Sequence, residues 1–77
     1  MEIHLQLYSI LREKLPAESN GQTILQMKES ASLADLLEKL DITRRVVISV
    51  NDEHESDMSR QLQDGDKVRI FSSVSGG

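Results

Sequence analysis

Only one stretch of this sequence has the period of a substantial helix, and that limits the architecture more than any other feature. Leu33, Leu36, Leu37 and Leu40 fall at i, i+3, i+4 and i+7, a single stripe down one side of a helix. Ser32 is placed to act as its N-cap. Asp35, three residues on, completes a capping-box pattern and puts a carboxylate in the first turn, where the helix dipole favours it. One amphipathic helix can cover one face of one sheet. With 77 residues, 38% of them apolar, the chain holds material for one modest core and so for a single domain over 1–77.

The flanking segments read as that sheet. Residues 2–8 alternate, with Ile3, Leu5 and Leu7 on one face and His4, Gln6 and Tyr8 on the other. From Ser9 to Leu15 the period changes: Ile10, Leu11, Lys14 and Leu15 suggest about two helical turns, stopped by Pro16. Asn20-Gly21 marks a turn, and Thr23 to Lys28 reads as a second strand. Val46 to Val50 is a β-branched run, hence a third strand, and Asn51-Asp52 suits the start of a hairpin. Residues 53–60 are polar, so a strand there is short and at an edge. Leu62 is the lone large apolar residue of its stretch and is expected in the core. Asp64-Gly65-Asp66 is a tight turn into a last strand, Lys67 to Ser72. Val68 and Ile70 face one way along it, and Lys67, Arg69 and Phe71 the other. The expected fold is α+β: a four- to five-stranded mixed sheet with one main helix across it, similar to the ubiquitin-like β-grasp. In that arrangement the first and last strands lie side by side in the middle of the sheet, and the connection through the long helix is a right-handed crossover between parallel strands.

Composition excludes several functions. The formal net charge is −4 and the pI about 5.0, with basic residues scattered apart from Arg44-Arg45. Phosphate backbones need clustered Lys and Arg, so nucleic acid is not the expected partner. The absence of cysteine removes disulfides, thiolate zinc sites and cysteine nucleophiles. No apolar run approaches the ~20 residues that span a bilayer, and Met1-Glu2-Ile3-His4 does not begin a signal peptide. A cytoplasmic protein with no membrane partner is expected. His4 and His54 have no ligand spacing and read as surface histidines. Asp52, Glu53, Glu55 and Asp57 lack the spacing of a calcium loop and read as solvated.

After the last strand come Ser72-Ser73-Val74-Ser75 and then Gly76-Gly77. Two residues without Cβ atoms make an arm able to enter a narrow tunnel. The reactive group of such an arm is the Gly77 carboxylate. The plainer reading is a frayed end or an expression remnant. The six residues Ser72 to Gly77, taken as a flexible tail, reach roughly 20 Å when extended.

The run Asp64-Gly65-Asp66-Lys67-Val68-Arg69-Ile70-Phe71, followed by Ser72-Ser73-Val74-Ser75-Gly76-Gly77, resembles the C-terminal end of the small sulfur-carrier proteins. The closest resemblance is to the MoaD-like small subunits of molybdopterin synthase. Tyr8-Ser9-Ile10-Leu11-Arg12-Glu13 fits the aromatic strand end and short Arg-Glu helix of that family. Val50-Asn51 is similar to the third-strand end of that family and of the ThiS-like thiamine sulfur carriers. Ser72-Ser73 departs from the usual Pro-Pro, so the root of this tail is expected to be more flexible.

The resemblance implies a sulfur carrier for molybdenum cofactor biosynthesis. Gly77, with Gly76 before it, is adenylated by a separate ubiquitin-activating-like enzyme that uses ATP and Mg. A sulfur donor converts the adenylate to a thiocarboxylate, which donates sulfur inside a larger synthase subunit. This chain binds no cofactor or metal and is no enzyme alone, but a small subunit of a sulfurtransferase. Tyr8 and Phe71, with Arg69 nearby, are expected to form a partner-binding patch, and Val74 and Ser75 to accompany the tail into the partner. Phe71 as an ordinary core residue is the plainer alternative. Other readings remain open: a carrier for thiamine or another thiolated product, a ubiquitin-like protein modifier, or an interaction module with an inert tail.

Overall fold

A computed structural model describes residues 1–72 of the chain. Five strands form one sheet: β1 (Glu2–Leu7), β2 (Gln22–Gln26), β3 (Val46–Val50), β4 (Glu53–Glu55) and β5 (Lys67–Ser72). Their order across the sheet is β2-β1-β5-β3-β4. β1 and β5 run parallel at the centre, with Leu5 beside Val68 and Leu7 beside Ile70. The other pairings are antiparallel. This is the expected mixed β-grasp sheet, with the first and last strands adjacent.

The main helix, α1 (Leu33–Lys39), lies between β2 and β3 in the chain. Its first N–H groups are all used. The Leu33 N–H donates to Arg60 O at 3.0 Å and that of Ala34 to Met58 O at 2.9 Å. The Asp35 N–H donates to Ser32 Oγ at 3.2 Å, and Asp35 Oδ2 accepts from the Ser32 N–H at 2.9 Å, the anticipated capping box. The polar loop before Leu62 therefore serves as a brace for the start of the helix. At the other end the Ile42 N–H bonds Leu37 O and the Asp41 N–H bonds Glu38 O, with Asp41 at φ 56°, a Schellman ending. Ile42 then folds into the core.

The core lies between α1 and one sheet face. Ile3, Leu5, Leu7, Ile48, Val50, Val68 and Ile70 from the strands meet Leu33, Leu36 and Leu40 from the helix segment. Leu62 joins them, as its sequence context suggested.

The helical turns expected after β1 form as a 3₁₀ helix over Ser9–Lys14 that buries only Leu11. Tyr8 and Leu15 are both extended and bound this helix, Leu15 directly before Pro16. Ile10 stays half exposed. β2 begins at Gln22 and ends at Gln26, because β1 offers partners only from Gln6 back to Glu2. Ser72, expected both as the strand's last residue and as the tail's first, pairs with Val46 inside β5.

Candidate partner-docking face

The face of the sheet away from α1 has no covering element among the described residues. Register places its side chains in rows, three of which follow the Glu2–Gln26 pair at one end. Ile24, His4 and Lys67 form one row, and Gln22, Gln6, Arg69, Ser49 and His54 the next. The third row lies where β5 ends: Tyr8 follows β1, and Phe71 pairs with Val47. Tyr8 and Phe71 stack with ring centroids 4.3 Å apart and planes inclined by 10°. Such stacking is worth about 1 kcal/mol beyond area burial. Phe71 remains 36% exposed and Val47 42%, so the row keeps apolar surface in contact with water.

Alternation explains how these side chains reach this face. In β5, Val68 and Ile70 are buried while Lys67, Arg69 and Phe71 are exposed. The core reading of Phe71 is therefore set aside. Arg69 sits one row from the rings, where Arg69 Nη1 contacts Asp52 Oδ1 at 3.0 Å. Both partners are well exposed, so the pair contributes little to stability and is readily exchanged.

Two further acidic residues of this region, Glu55 and Asp57, also have partners. Arg60 Nη1 donates to Glu55 Oε1 at 2.8 Å, and this bond, helped by the Asp57 N–H, lowers the Glu55 pKa. The Ser59 hydroxyl and then the Ser59 N–H lower that of Asp57. Among the described residues no group of His, Asp and Glu is arranged to hold a metal ion.

The opposite end of β5 is built differently. Asp66, 6% exposed, accepts from Asn51 Nδ2 at 3.0 Å and from the Gln63 N–H at 2.8 Å. Asn51 Oδ1 accepts from the Lys67 N–H at 3.0 Å. Asp64 Oδ1 accepts from the Glu2 N–H at 2.7 Å, the Gly65 N–H bonds Glu2 O, and Asp66 O accepts from the His4 N–H. Asn51 and Asp52 both have positive φ, making the primed two-residue turn that joins β3 to β4. The Asp-Gly-Asp and Val-Asn signals thus work together as a clasp that holds β1, β3 and β5 in register.

Of the residues singled out in the sequence, Tyr8, Phe71 and Arg69 are brought to one face. Val74, Ser75, Gly76 and Gly77 lie outside the described residues. Val47 and Ile24 also reach the open face. The consecutive apolar residues Val46-Val47-Ile48 hid the facing of Val47, although counting alternate residues from Ile48 and Val50 would have found it. No helix of the described chain is long and apolar enough to cross a membrane.

Comparison with known proteins agrees with this geometry. A search of curated proteins finds no match. Among solved structures, the small archaeal modifier protein 1 of Haloferax volcanii superposes with a TM-score of 0.74 at 15% identity, over 95% of this chain and 98% of that one. A putative molybdopterin converting factor, subunit 1, from Pyrococcus furiosus gives 0.76 at 20% identity, over 96% and 99%. A complex of subunits 1 and 2 of the molybdopterin-converting factor from Helicobacter pylori 26695 gives 0.67 at 18%, over the full length of both chains. At these identities the likeness is one of fold. The family comparison reaches further, because the ThiS family model matches residues 5–77, from β1 through the Gly-Gly. This chain belongs to the ThiS family, which the clasp at one end of β5 and the Gly-Gly beyond the other had already indicated.

Proposed function

We propose that this protein is a sulfur carrier for molybdenum cofactor biosynthesis. The observation that carries the proposal is the family match, which runs unbroken from β1 to the terminal Gly-Gly. The 3₁₀ helix directly after β1 supports the molybdopterin reading over the thiamine one, since ThiS-like thiamine carriers usually turn directly there. The fold shared with converting-factor subunit 1 proteins points the same way.

The chemistry is a carboxylate activation. The Gly77 carboxylate attacks the α-phosphate of ATP, giving an acyl-adenylate and releasing pyrophosphate. A hydrosulfide-equivalent donor adds to the acyl carbon and AMP leaves, so one oxygen of the terminus is replaced by sulfur. The resulting thiocarboxylate is ionised at neutral pH and is a soft nucleophile, as a thiolate is. A separate adenylating enzyme binds ATP and Mg. The large synthase subunit receives the tail, and the Tyr8–Phe71 row with Arg69 docks on it beside the point where β5 ends. Val74 and Ser75 accompany the glycines into the partner. Backbone capture of a terminal carboxylate is a common recognition mode and suits an arm with few side chains. The protein is expected to act in the cytoplasm.

The test is the intact mass of the protein after incubation with ATP and an extract of its own host, beside a Gly77-deleted control. A gain equal to the exchange of one oxygen for sulfur, absent from the control, is the expected result. No gain where a known carrier is thiolated overturns the sulfur proposal. Conjugates of higher mass would select a protein modifier, the reading that the modifier-like fold keeps in view.

A further inference from the structure

The two edges of the sheet are unlike. The β4 edge is three residues long, Glu53-His54-Glu55, and carries two carboxylates. Short, charged edges resist pairing with another chain. The β2 edge, Gln22-Thr23-Ile24-Leu25-Gln26, has no charge, no proline and no glycine, and no strand lies beyond it among the described residues.

The hydrogen-bond phase of β2 is fixed by its neighbours. The Leu7 N–H donates to Gly21 O at 2.7 Å, and the Met27 N–H to Met1 O at 2.9 Å. Bonded pairs alternate along an antiparallel ladder, so Thr23 and Leu25 bond toward β1. The N–H and C=O groups of Gln22, Ile24 and Gln26 therefore point outward. Those three outward residues read Gln, Ile, Gln in either direction. Ile24, at their centre, is 51% exposed on the open face.

We propose that a second copy of this chain occupies the β2 edge, in an antiparallel pairing about a two-fold axis at Ile24. The pattern is self-complementary, as an isologous contact requires. Ile24 lies opposite the same residue of the partner copy and Gln22 opposite Gln26, each pair exchanging two backbone hydrogen bonds. The two isoleucines share the open face, while Thr23 and Leu25 meet across the seam on the helix side. Like charges are nowhere opposed within the strand. The axis stands perpendicular to the sheet, so the two β5 ends point in opposite directions and both Tyr8–Phe71 rows stay uncovered. The contact is one strand wide and uses little side-chain area, so the dimer forms at high protein concentration.

The absence of cysteine allows a register-specific test. Disulfides need Cα separations of about 4.4–6.8 Å, and bonded antiparallel pairs lie about 5.5 Å apart. An Ile24→Cys variant is expected to form a disulfide-linked dimer under mild oxidation at least roughly tenfold faster than a Gln22→Cys variant, whose cysteines would lie roughly 14 Å apart. Equal rates would overturn the register. Sedimentation of the native protein from micromolar to millimolar concentration should show a dimer, and a purely monomeric profile overturns the proposal. Ile24→Pro removes only an outward N–H, and Ile24→Lys places like charges face to face. Both are expected to stay folded by circular dichroism and to sediment as monomers. A dimer that survives in both would place the interface elsewhere.

Discussion

The two ends of β5 are opposites. At its entry, Asp64, Gly65 and Asp66 are bonded into β1 and β3, and a nearly buried carboxylate satisfies Asn51 and Gln63. At its exit, Phe71 is stacked on Tyr8 yet open to solvent, and among the described residues no comparable polar lattice holds it. Both ends contribute to the resemblance by which the family is recognised. The entry keeps the strands aligned, whereas the exit presents surface. Damage at the entry should appear as lost stability, and damage at the exit as lost association.

The sharpest break of that contrast is Asp66→Ala, which leaves Asn51 Nδ2 and the Gln63 N–H without their acceptor. It is expected to lower stability by on the order of 3 kcal/mol, with Tm falling by roughly 15 °C in thermal melts. At the exit, Phe71→Ala should weaken partner binding by about 2 kcal/mol, read by calorimetry against the large synthase subunit. Its stability loss should stay near 1 kcal/mol, since the ring is already partly in water. A large Tm drop for Phe71→Ala with unchanged binding would reverse the assignment.

The two positive-φ glycines sharpen the comparison. A Cβ on Gly21 would lie 2.5 Å from Leu7 O and 2.9 Å from Arg12 Cγ. A Cβ on Gly65 would meet nothing within 4 Å. Chemical denaturation should therefore show Gly65→Ala losing only the backbone strain, about 1 kcal/mol, and Gly21→Ala losing more, roughly 2 kcal/mol or above. Gly65→Asn should restore most of the smaller loss, because asparagine tolerates that conformation.

The smallest effect is on pH dependence. Glu55 and Asp57 have folded pKa values below their usual 4.5 and 3.8. The stability they add is present above those usual values and is lost as pH falls through the lower folded ones. Denaturation curves taken below about pH 4.5 should show that decline. Arg60→Met should flatten the part due to Glu55 and leave Phe71-dependent binding unchanged.

Much of this was legible because the local signals agree with the fold. The capping box of Ser32 and Asp35, the leucine stripe, the alternation of Val68 and Ile70, and the turn at Gly65 each have the same physical cause in the sequence and in the structure. The 3₁₀ form of Ser9–Lys14 was not legible, because side-chain period alone does not separate two short helical turns of different pitch. Nor was the role of residues 57–61. A polar run looks like loop, and only the folded chain shows its carbonyls accepting from the start of α1.

By itself the sequence determined which residues are apolar at which spacing, and hence one main helix, one sheet and one core, together with the Gly76-Gly77 pair that carries the family resemblance. Tertiary structure decided what these patterns meet. It brought Tyr8 and Phe71, far apart in the chain, to stacking distance, because β1 and β5 pair in parallel. It joined Asn51 to Asp66, turning two separate turn signals into one clasp. It left β2 at an edge with Gln22, Ile24 and Gln26 bonding outward, since the phase of a ladder depends on its neighbour and not on the strand's own residues.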